Sequence, residues 1–305
     1  MKRSFLMMSD LTVDELDGVL ANAAALKLDR LRHRDALGGH SVGLFFEKPS
    51  TRTRISTEVA TVELGAHPVT LRGDEVGMGS REAPEDVARV LSRYLSLVAL
   101  RVKSHATLDA IAQHGSIPVV NLLSDRSHPC QALADLQTVA EHRSLPGTRL
   151  AYVGDGNNVA HSLILGGAMA GMHIEIATPE GYEPAGDIVE QGQGIAVHSG
   201  GSVTITNDPE AAVTGSDVVY ADVWTSMGQE AEAQRRLADF GGFQMNMDLF
   251  SKAAQHALFL HCLPAHRGEE VTDDVVDHER SFVFDQAENR LHAFKALVAF
   301  LLAVK

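Results

Sequence analysis

Short apolar runs and segments of helical periodicity alternate along the chain. In the first half, apolar runs at 41–47, 97–102 and 117–123 predict buried strands, and apolar residues every three or four positions between them predict helices. The first such helix begins after Thr12, which forms a capping-box pattern with Glu15. This alternation is typical of βαβ units, so we expect a mostly parallel sheet.

A turn-rich stretch at 144–147, Ser-Leu-Pro-Gly, is the best candidate for a domain boundary. Beyond it the alternation restarts, and a last helical pattern covers about 287–304, which could belong to either half. The pattern therefore predicts an α/β protein with two open, parallel-sheet domains. The strands of the second half are expected within 149–155, 173–178, 202–208, 218–224 and 256–264.

Charge and composition narrow the class of protein. With 40 acidic and 26 basic residues the net charge is −14, so the overall field repels nucleic acid and anionic membranes. No apolar run approaches the roughly 18 residues of a membrane span, and acidic residues occupy the start, where a secretory signal would be apolar. Two cysteines without a CxxC spacing predict free thiols. We expect a soluble, cytoplasmic protein.

A cationic and hydroxyl-rich cluster, FEKPSTRTRIS at 46–56, stands out against this acidic background. It follows a predicted strand and opens a helix, where free N–H groups and the helix dipole favour an anion. A capped, solvated helix start would explain one hydroxyl and one arginine, but it explains the whole run poorly. Since GxxxxGK[ST] is absent, a small phosphate compound fits better than a nucleoside triphosphate.

Other candidate residues also lie at predicted strand ends. In the first half, Arg101 ends a strand, and His128 and Gln131 follow the next one; their donors could polarise a carbonyl beside a bound phosphate. Taken alone, a histidine before proline is more often a surface or core residue.

Three predicted strand ends of the second half carry polar residues. Asn158 lies in GDGNNVAHS, which has only a GxG fragment, so a dinucleotide site is weakly supported; two turn-forming asparagines are the alternative. DVWTSMGQE places Asp222, Ser226 and the Met227 backbone in a loop, where the acid and the hydroxyl suit an ammonium group; the Met227 side chain alone would more often be a packing residue. Cys262 lies in HCLPAHRGEEV, whose spacing does not match a zinc site; a buried thiol is the alternative.

Four motifs in order, STRTR at 50–54, HPCQ at 128–131, DVWTSMG at 222–228 and HCLPAHRGEE at 261–270, resemble the aspartate/ornithine carbamoyltransferase family, and within it the ornithine branch. The resemblance runs from about residue 3 to 297. It implies transfer of the carbamoyl group of carbamoyl phosphate to the δ-amine of L-ornithine, giving L-citrulline and phosphate. It also implies no metal or organic cofactor and a homotrimer, or a multiple of trimers.

The resemblance also implies how the chain is divided and which residues bind. Residues 1–145 with 288–305 would bind carbamoyl phosphate, the C-terminal helix returning to this domain, and 146–287 would bind ornithine. The carbamoyl-phosphate set would be Ser50, Thr51, Arg52, Thr53, Arg101, His128, Gln131, Cys262, Leu263 and Arg290. The ornithine set would be Asn158, Asp222, Ser226 and Met227, with Arg101, His128, Asp222 and Cys262 taking part in catalysis.

Two positions depart from the family pattern. Gly77 stands where a glutamine usually reaches a neighbouring subunit's carbamoyl phosphate, so that contact is in doubt, and Ser80 or Arg81 could compensate. Thr57 replaces a common phenylalanine, which we interpret as a packing change.

Two other functions stay open at the level of the sequence. A carbamoyltransferase for putrescine, an acylated ornithine or aspartate is the first, and a non-catalytic anion-binding relative is the second. Asp222 with the Ser-Met-Gly run favours a free amino acid.

Overall fold

The computed structural model describes residues 2–225 and 230–304. Backbone contacts divide the chain into two compact units, which we call unit 1 (Met1–Gln137 with Glu288–Lys305) and unit 2 (Thr138–Ala287). Within the described ranges, no helix combines the length and apolarity that crossing a membrane would require.

Unit 1 is built on a four-stranded, fully parallel sheet with the strand order β2-β1-β3-β4. The three strands predicted for this half of the chain are confirmed. They form because β-branched and aromatic residues fill these short buried runs. The strands are β1 (Ser41–Phe46), β2 (His67–Arg72), β3 (Leu97–Arg101) and β4 (Val119–Leu123). The helices are α1 (Val13–Leu28), α2 (Thr51–Glu63), α3 (Gly73–Val76), α4 (Pro84–Tyr94), α5 (His105–His114) and α6 (Pro129–Ala140), which crosses the unit boundary.

Local signals explain where several of these elements begin and end. Thr12 caps α1 as predicted: its side chain accepts the Glu15 N–H, and the Glu15 side chain accepts the Thr12 N–H. Strand β2 was not predicted, since this edge strand is only half-buried and contains Pro68, so its apolar pattern is weak. Neighbouring parallel strands place Phe46 beside Arg101, so the loops that follow β1 and β3 leave the same edge of the sheet.

Unit 2 repeats the architecture with a five-stranded parallel sheet in the order β7-β6-β5-β8-β9. Its core is aromatic and aliphatic, and it includes Trp224, Phe240, Phe250 and Phe259. The strands are β5 (Arg149–Val153), β6 (His173–Ala177), β7 (Ser202–Thr206), β8 (Val218–Ala221) and β9 (Leu258–His261). The helices are α7 (Asn158–Met169), α8 (Gly186–Ser199), α9 (Pro209–Val213), α10 (Ala233–Asp239), α11 (Met247–Phe250) and α12 (Asp273–Val276).

The last helix, α13 (Val283–Leu301), starts four residues before the predicted position and passes from unit 2 into unit 1 at Glu288. Its Phe294 and Leu297 are buried in unit 1. Lys295, also fully buried, forms an ion pair with Glu63 at the end of α2, over 2.8 Å. The C-terminal helix therefore returns to the first domain, as the resemblance implied.

Candidate active site

The amino terminus of α2 presents the hydroxyls and arginines of the STRTR motif. Ser50 is the N-cap residue, with extended backbone (φ −156°, ψ 109°), and its carbonyl accepts the Arg54 N–H. Its side chain makes no capping hydrogen bond in the described structure, so the first-turn amide groups lack that partner. The Arg54 guanidinium turns away to Glu58, 2.9 Å distant. This geometry is that of an anion-binding helix start.

Two arginines converge on the buried hydroxyl of Thr53. Arg290 Nη2 donates to Thr53 Oγ1 over 3.1 Å, and Arg101 Nη1 lies 3.5 Å from the same oxygen. Arg290 also donates from Nη1 to Gln131 Oε1, and the Gln131 amide donates to Asp135 Oδ1 over 2.7 Å. The side chains of α2, β3, α6 and α13 thus form one connected group at the sheet edge of unit 1, which we call the donor cluster.

The charged residues of the donor cluster act on His128. It is 4% exposed, and burial, followed by the positive charges of Arg290 and Arg101, holds its pKa well below the usual value of 6.5. The imidazole is therefore neutral at neutral pH and can donate one hydrogen bond without adding a third positive charge.

In unit 2, one carboxylate organises the ends of strands β5, β8 and β9. Cys262, directly after β9, donates its thiol to Asp222 Oδ1 over 3.0 Å, and Asn157 Nδ2 donates to Asp222 Oδ2 over 2.8 Å. Asp222 is 2% exposed. A buried carboxylate that accepts two neutral donors retains the capacity to bind a cationic amine. We call Asp222, Cys262, Asn157 and Asn158 the acceptor cluster.

A buried histidine holds the backbone after Cys262. His261 Nδ1 accepts the Leu263 N–H over 2.9 Å, so the ring proton is on Nε2, which lies 3.2 Å from Glu270 Oε1. The Glu270 carboxylate also accepts the His266 N–H over 2.6 Å. These bonds hold Leu263 in a left-handed backbone conformation with φ 56°.

Two groups of described residues bring three metal-ligand atoms within 4.8 Å of one another: Asp222, His261 and Cys262, and His266, Glu269 and Glu270. In the first group both His261 nitrogens already take part in the hydrogen bonds to Leu263 and Glu270, so the imidazole has no free lone pair for an ion. The hydrogen bonds of His261 therefore indicate that the group of Asp222, His261 and Cys262 acts through hydrogen bonds.

Comparison with known proteins decides the family. The profile described as "Aspartate/ornithine carbamoyltransferase, carbamoyl-P binding domain" matches residues 3–141, and the one described as "Asp/Orn binding domain" matches residues 146–301. The chain belongs to the aspartate/ornithine carbamoyltransferase family. Both family domains are present in this chain.

Individual family members are similar over almost their whole length. The protein named ornithine carbamoyltransferase from Acidothermus cellulolyticus is 53% identical, covering 99% of this chain and 97% of the relative. The one named "ornithine carbamoyltransferase, anabolic" from Pyrococcus furiosus is 47% identical over 98% of this chain and 96% of its own. A solved structure of ornithine carbamoyltransferase from that organism superposes with a TM-score of 0.96 at 46% identity, covering 99% of this chain and 97% of the other.

The family residues expected from the sequence fall into three groups. Ser50 to Thr53, Arg101, His128, Gln131 and Arg290 lie in unit 1, whereas Asn158, Asp222, Cys262 and Leu263 lie in unit 2. Ser226 and Met227 lie outside the described residues. Asn158 is the first residue of α7. Asn157, considered from the sequence only as one of two turn-forming asparagines, caps that helix by accepting the Val159 and Ala160 N–H groups.

The departure at Gly77 has a structural explanation. This residue ends α3 with φ +65°, and a Cβ atom here would lie 2.9 Å from Arg81 Cβ. Arg81 Nη2 donates to the carbonyls of Glu75 and Val76 at the same helix end. The family's usual glutamine would therefore be strained in this loop conformation.

Sequence reasoning missed the residues that hold the acceptor cluster. Asn157, His261 and Glu270 were passed over because a carboxylate or amide in a loop has many possible partners, and the chain order does not reveal which one it meets. Asp155 had a usable signal, since it lies two residues after the strand that leads into the asparagines.

Proposed function

We propose that this protein is an enzyme that transfers the carbamoyl group of carbamoyl phosphate to the δ-amine of L-ornithine, giving L-citrulline and phosphate, in arginine biosynthesis. The observation that carries the proposal is the convergence of Arg101 and Arg290 on Thr53 at an α2 start whose N-cap side chain makes no capping bond. Two guanidinium groups beside free amides suit the dianionic phosphate group of an acyl phosphate.

The donor cluster also suits the reaction. In the proposed roles, Ser50 to Thr53 and Arg101 hold the phosphate, and His128, Gln131 and Arg290 bind the carbamoyl end with the Cys262–Leu263 backbone. A neutral amine attacks the carbonyl carbon and the oxygen becomes negative. The C–O bond to phosphate then breaks, and phosphate leaves with the proton that the nitrogen gives up. Arg101, Thr53 and neutral His128 stabilise the negative carbonyl oxygen, while Arg52 offsets the charge on the phosphate. No protein nucleophile is needed.

The acceptor cluster supplies the other substrate's contacts. Asp222, with Ser226, would hold the α-amine of L-ornithine; Asn158 and the Met227 backbone would meet its carboxylate. Cys262, hydrogen-bonded to Asp222, would lie near the reacting δ-amine. Alignment of two substrates alone supplies up to about 7–11 kcal/mol, so positioning accounts for much of the proposed catalysis.

Further proposals concern the organisation of the protein. We propose that 1–145 with 288–305 form the carbamoyl-phosphate domain and 146–287 the ornithine domain, that the enzyme is a homotrimer or a multiple of trimers, and that it works in the cytoplasm. The family profiles support a boundary between residues 141 and 146. The second profile runs on to residue 301, but the grouping of Glu288–Lys305 with unit 1 supports the return of this segment to the first domain. Light scattering of the purified protein tests the trimer.

The decisive experiment is an acceptor panel. Purified protein with carbamoyl phosphate is assayed against L-ornithine, N-acetyl-L-ornithine, putrescine and L-aspartate by quantifying the carbamoylated product. We expect the highest kcat/KM with L-ornithine. Greater activity on putrescine would overturn the choice of acceptor, and no carbamoylation of any amine would support a non-catalytic anion-binding protein.

A second experiment addresses the Gly77 departure. We propose that Arg81 or Ser80 replaces the missing cross-subunit glutamine. Arg81→Ala is then expected to raise the KM for carbamoyl phosphate, whereas Arg89→Ala, which removes an exposed arginine paired with Asp86, is not. Unchanged kcat and KM in Arg81→Ala would leave the role to Ser80 or to no residue of this loop.

A further inference from the structure

A buried ion pair lies beside the acceptor cluster. Neither of its two residues is among the proposed site residues. Arg236, on α10, has a side chain only 6% exposed, and its Nη1 lies 3.0 Å from Asp155 Oδ2. Asp155, 8% exposed, follows strand β5. Buried ion pairs cost desolvation free energy and need further hydrogen bonds to be tolerated, so a contribution to stability is a weak explanation for this pair.

The Arg236 guanidinium makes contacts in several directions. Nη1 also donates to the Trp224 carbonyl over 2.8 Å, Nε donates to Glu232 over 3.2 Å, and the guanidinium carbon stacks 4.9 Å from the centre of the Tyr182 ring. Trp224 lies two residues after Asp222. One side chain therefore fixes the backbone next to the carboxylate of the acceptor cluster.

Asp155 connects the same pair to the asparagines. The Asp155 carbonyl accepts the Tyr152 hydroxyl over 2.8 Å and the Asn157 N–H over 2.7 Å. Asn157 then donates to Asp222 over 2.8 Å. The loop is closely packed at Gly156, where a Cβ would lie 2.3 Å from the Pro184 nitrogen. Asp155 and Arg236 thus join the loop after β5 to the loop after β8.

We propose that Arg236 and Asp155 are positioning residues for the amino-acid acceptor: they hold Asp222 and the Asn157–Asn158 turn in the spacing that binds L-ornithine. This inference rests on the proposed function and deepens it, since neither residue is expected to touch substrate. A planar guanidinium can bond Asp155, Trp224 and Glu232 at once, whereas a lysine ammonium cannot reproduce that fork.

The test compares Arg236→Lys with Arg235→Lys. Arg235 is the adjacent residue; its side chain is 78% exposed and forms a surface ion pair with Asp239. In Arg236→Lys we expect the KM for L-ornithine to rise roughly tenfold or more, with the KM for carbamoyl phosphate within about twofold of wild type. Arg235→Lys should leave both constants unchanged.

The chain's one tryptophan provides a readout that does not depend on activity. Trp224 is 5% exposed and stacks on Phe240, so loss of the Arg236 bond to its carbonyl should increase acrylamide quenching of its fluorescence in Arg236→Lys and not in Arg235→Lys. Asp155→Asn, which keeps an oxygen acceptor for Arg236, serves as the second variant and should raise the ornithine KM in the same direction but less.

The outcomes separate the two claims. An ornithine KM that does not change in Arg236→Lys or Asp155→Asn, with active wild type, overturns this inference alone. Equal increases of both KM values with a lower melting temperature indicate general destabilisation and overturn it as well. Wild-type protein that forms no citrulline overturns the proposed function and this inference with it.

Discussion

Arg290 and Thr53, 237 positions apart in the chain, are joined by a 3.1 Å hydrogen bond from Nη2 to Oγ1. The bond links the last helix to the first turn of α2, and the same guanidinium reaches Gln131. Both partners are buried. The C-terminal helix therefore helps to build the donor cluster as well as covering the core of unit 1.

Removing the Thr53 hydroxyl tests this relationship. In Thr53→Val the two arginines lose a shared acceptor at nearly constant volume, so we expect a stability loss of about 1–3 kcal/mol and a higher KM for carbamoyl phosphate. Thr57→Val is the matched control: Thr57 is buried on the same helix, but its hydroxyl donates to the Thr53 carbonyl over 2.8 Å. Chemical denaturation and steady-state kinetics should show a stability loss in both variants and a KM change only in Thr53→Val.

Arg52 and Lys48, both in the cationic and hydroxyl-rich cluster at 46–56, should differ in importance. Arg52 is half-buried in the first turn of α2, where it can offset charge on the phosphate, so Arg52→Ala should lower kcat/KM by roughly 100-fold or more. Lys48, before the helix, should matter much less when replaced by alanine. Comparable losses in the two variants would mean that the motif acts through its total charge.

The two cysteines should react very differently. Cys130 is 3% exposed, its thiol donates to the Asn121 carbonyl, and burial raises its pKa to about 12. At pH 8 only about one in 10⁴ of such thiols is ionised, so a thiol reagent should label it only after unfolding. Cys262 is partly exposed and should be labelled in the native protein.

Protection by L-ornithine adds a test of function to the labelling experiment. Because Cys262 is hydrogen-bonded to Asp222, bound L-ornithine should slow its modification, whereas L-aspartate should not. Cys262→Ala, which keeps Cys130, is the control for the site of labelling. Native labelling that persists in Cys262→Ala would contradict the assignment.

His128 predicts a pH dependence of stability. Its folded-state pKa is depressed by burial and by Arg290 and Arg101, so the stability that it contributes is present above the unfolded pKa and is lost as the pH falls. Below about pH 6.5 the unfolded chain binds a proton that the folded chain does not. The free energy of unfolding therefore falls by up to about 1.4 kcal/mol per pH unit.

The measurement is a comparison with His128→Gln. Urea unfolding at pH 7 and at pH 5 should show the wild type losing more stability between the two values than the variant does. The other titrating groups contribute equally to both proteins, so they cancel in the difference. A parallel decrease would mean that His128 is protonated in the folded state.

Local chemistry was sufficient for much of the fold. The apolar runs of β1, β3 and β4, the Thr12–Glu15 cap and the polar strand ends could all be located from the order of residues, because each depends on neighbours within a few positions. The edge strand β2 could not, since its half-buried side chains leave little periodic signal. The position of STRTR at a helix start followed from a loop that leads into a helix.

Tertiary structure decided which distant side chains share a partner. That Arg290 meets Thr53, that Asn157 and Cys262 share Asp222, and that Arg236 holds both Asp155 and the Trp224 carbonyl depend on strand order and on the path of α13. Hydrogen bonds of this kind act over about 3 Å and carry no periodicity along the chain, so the residue order shows the groups but not their pairing.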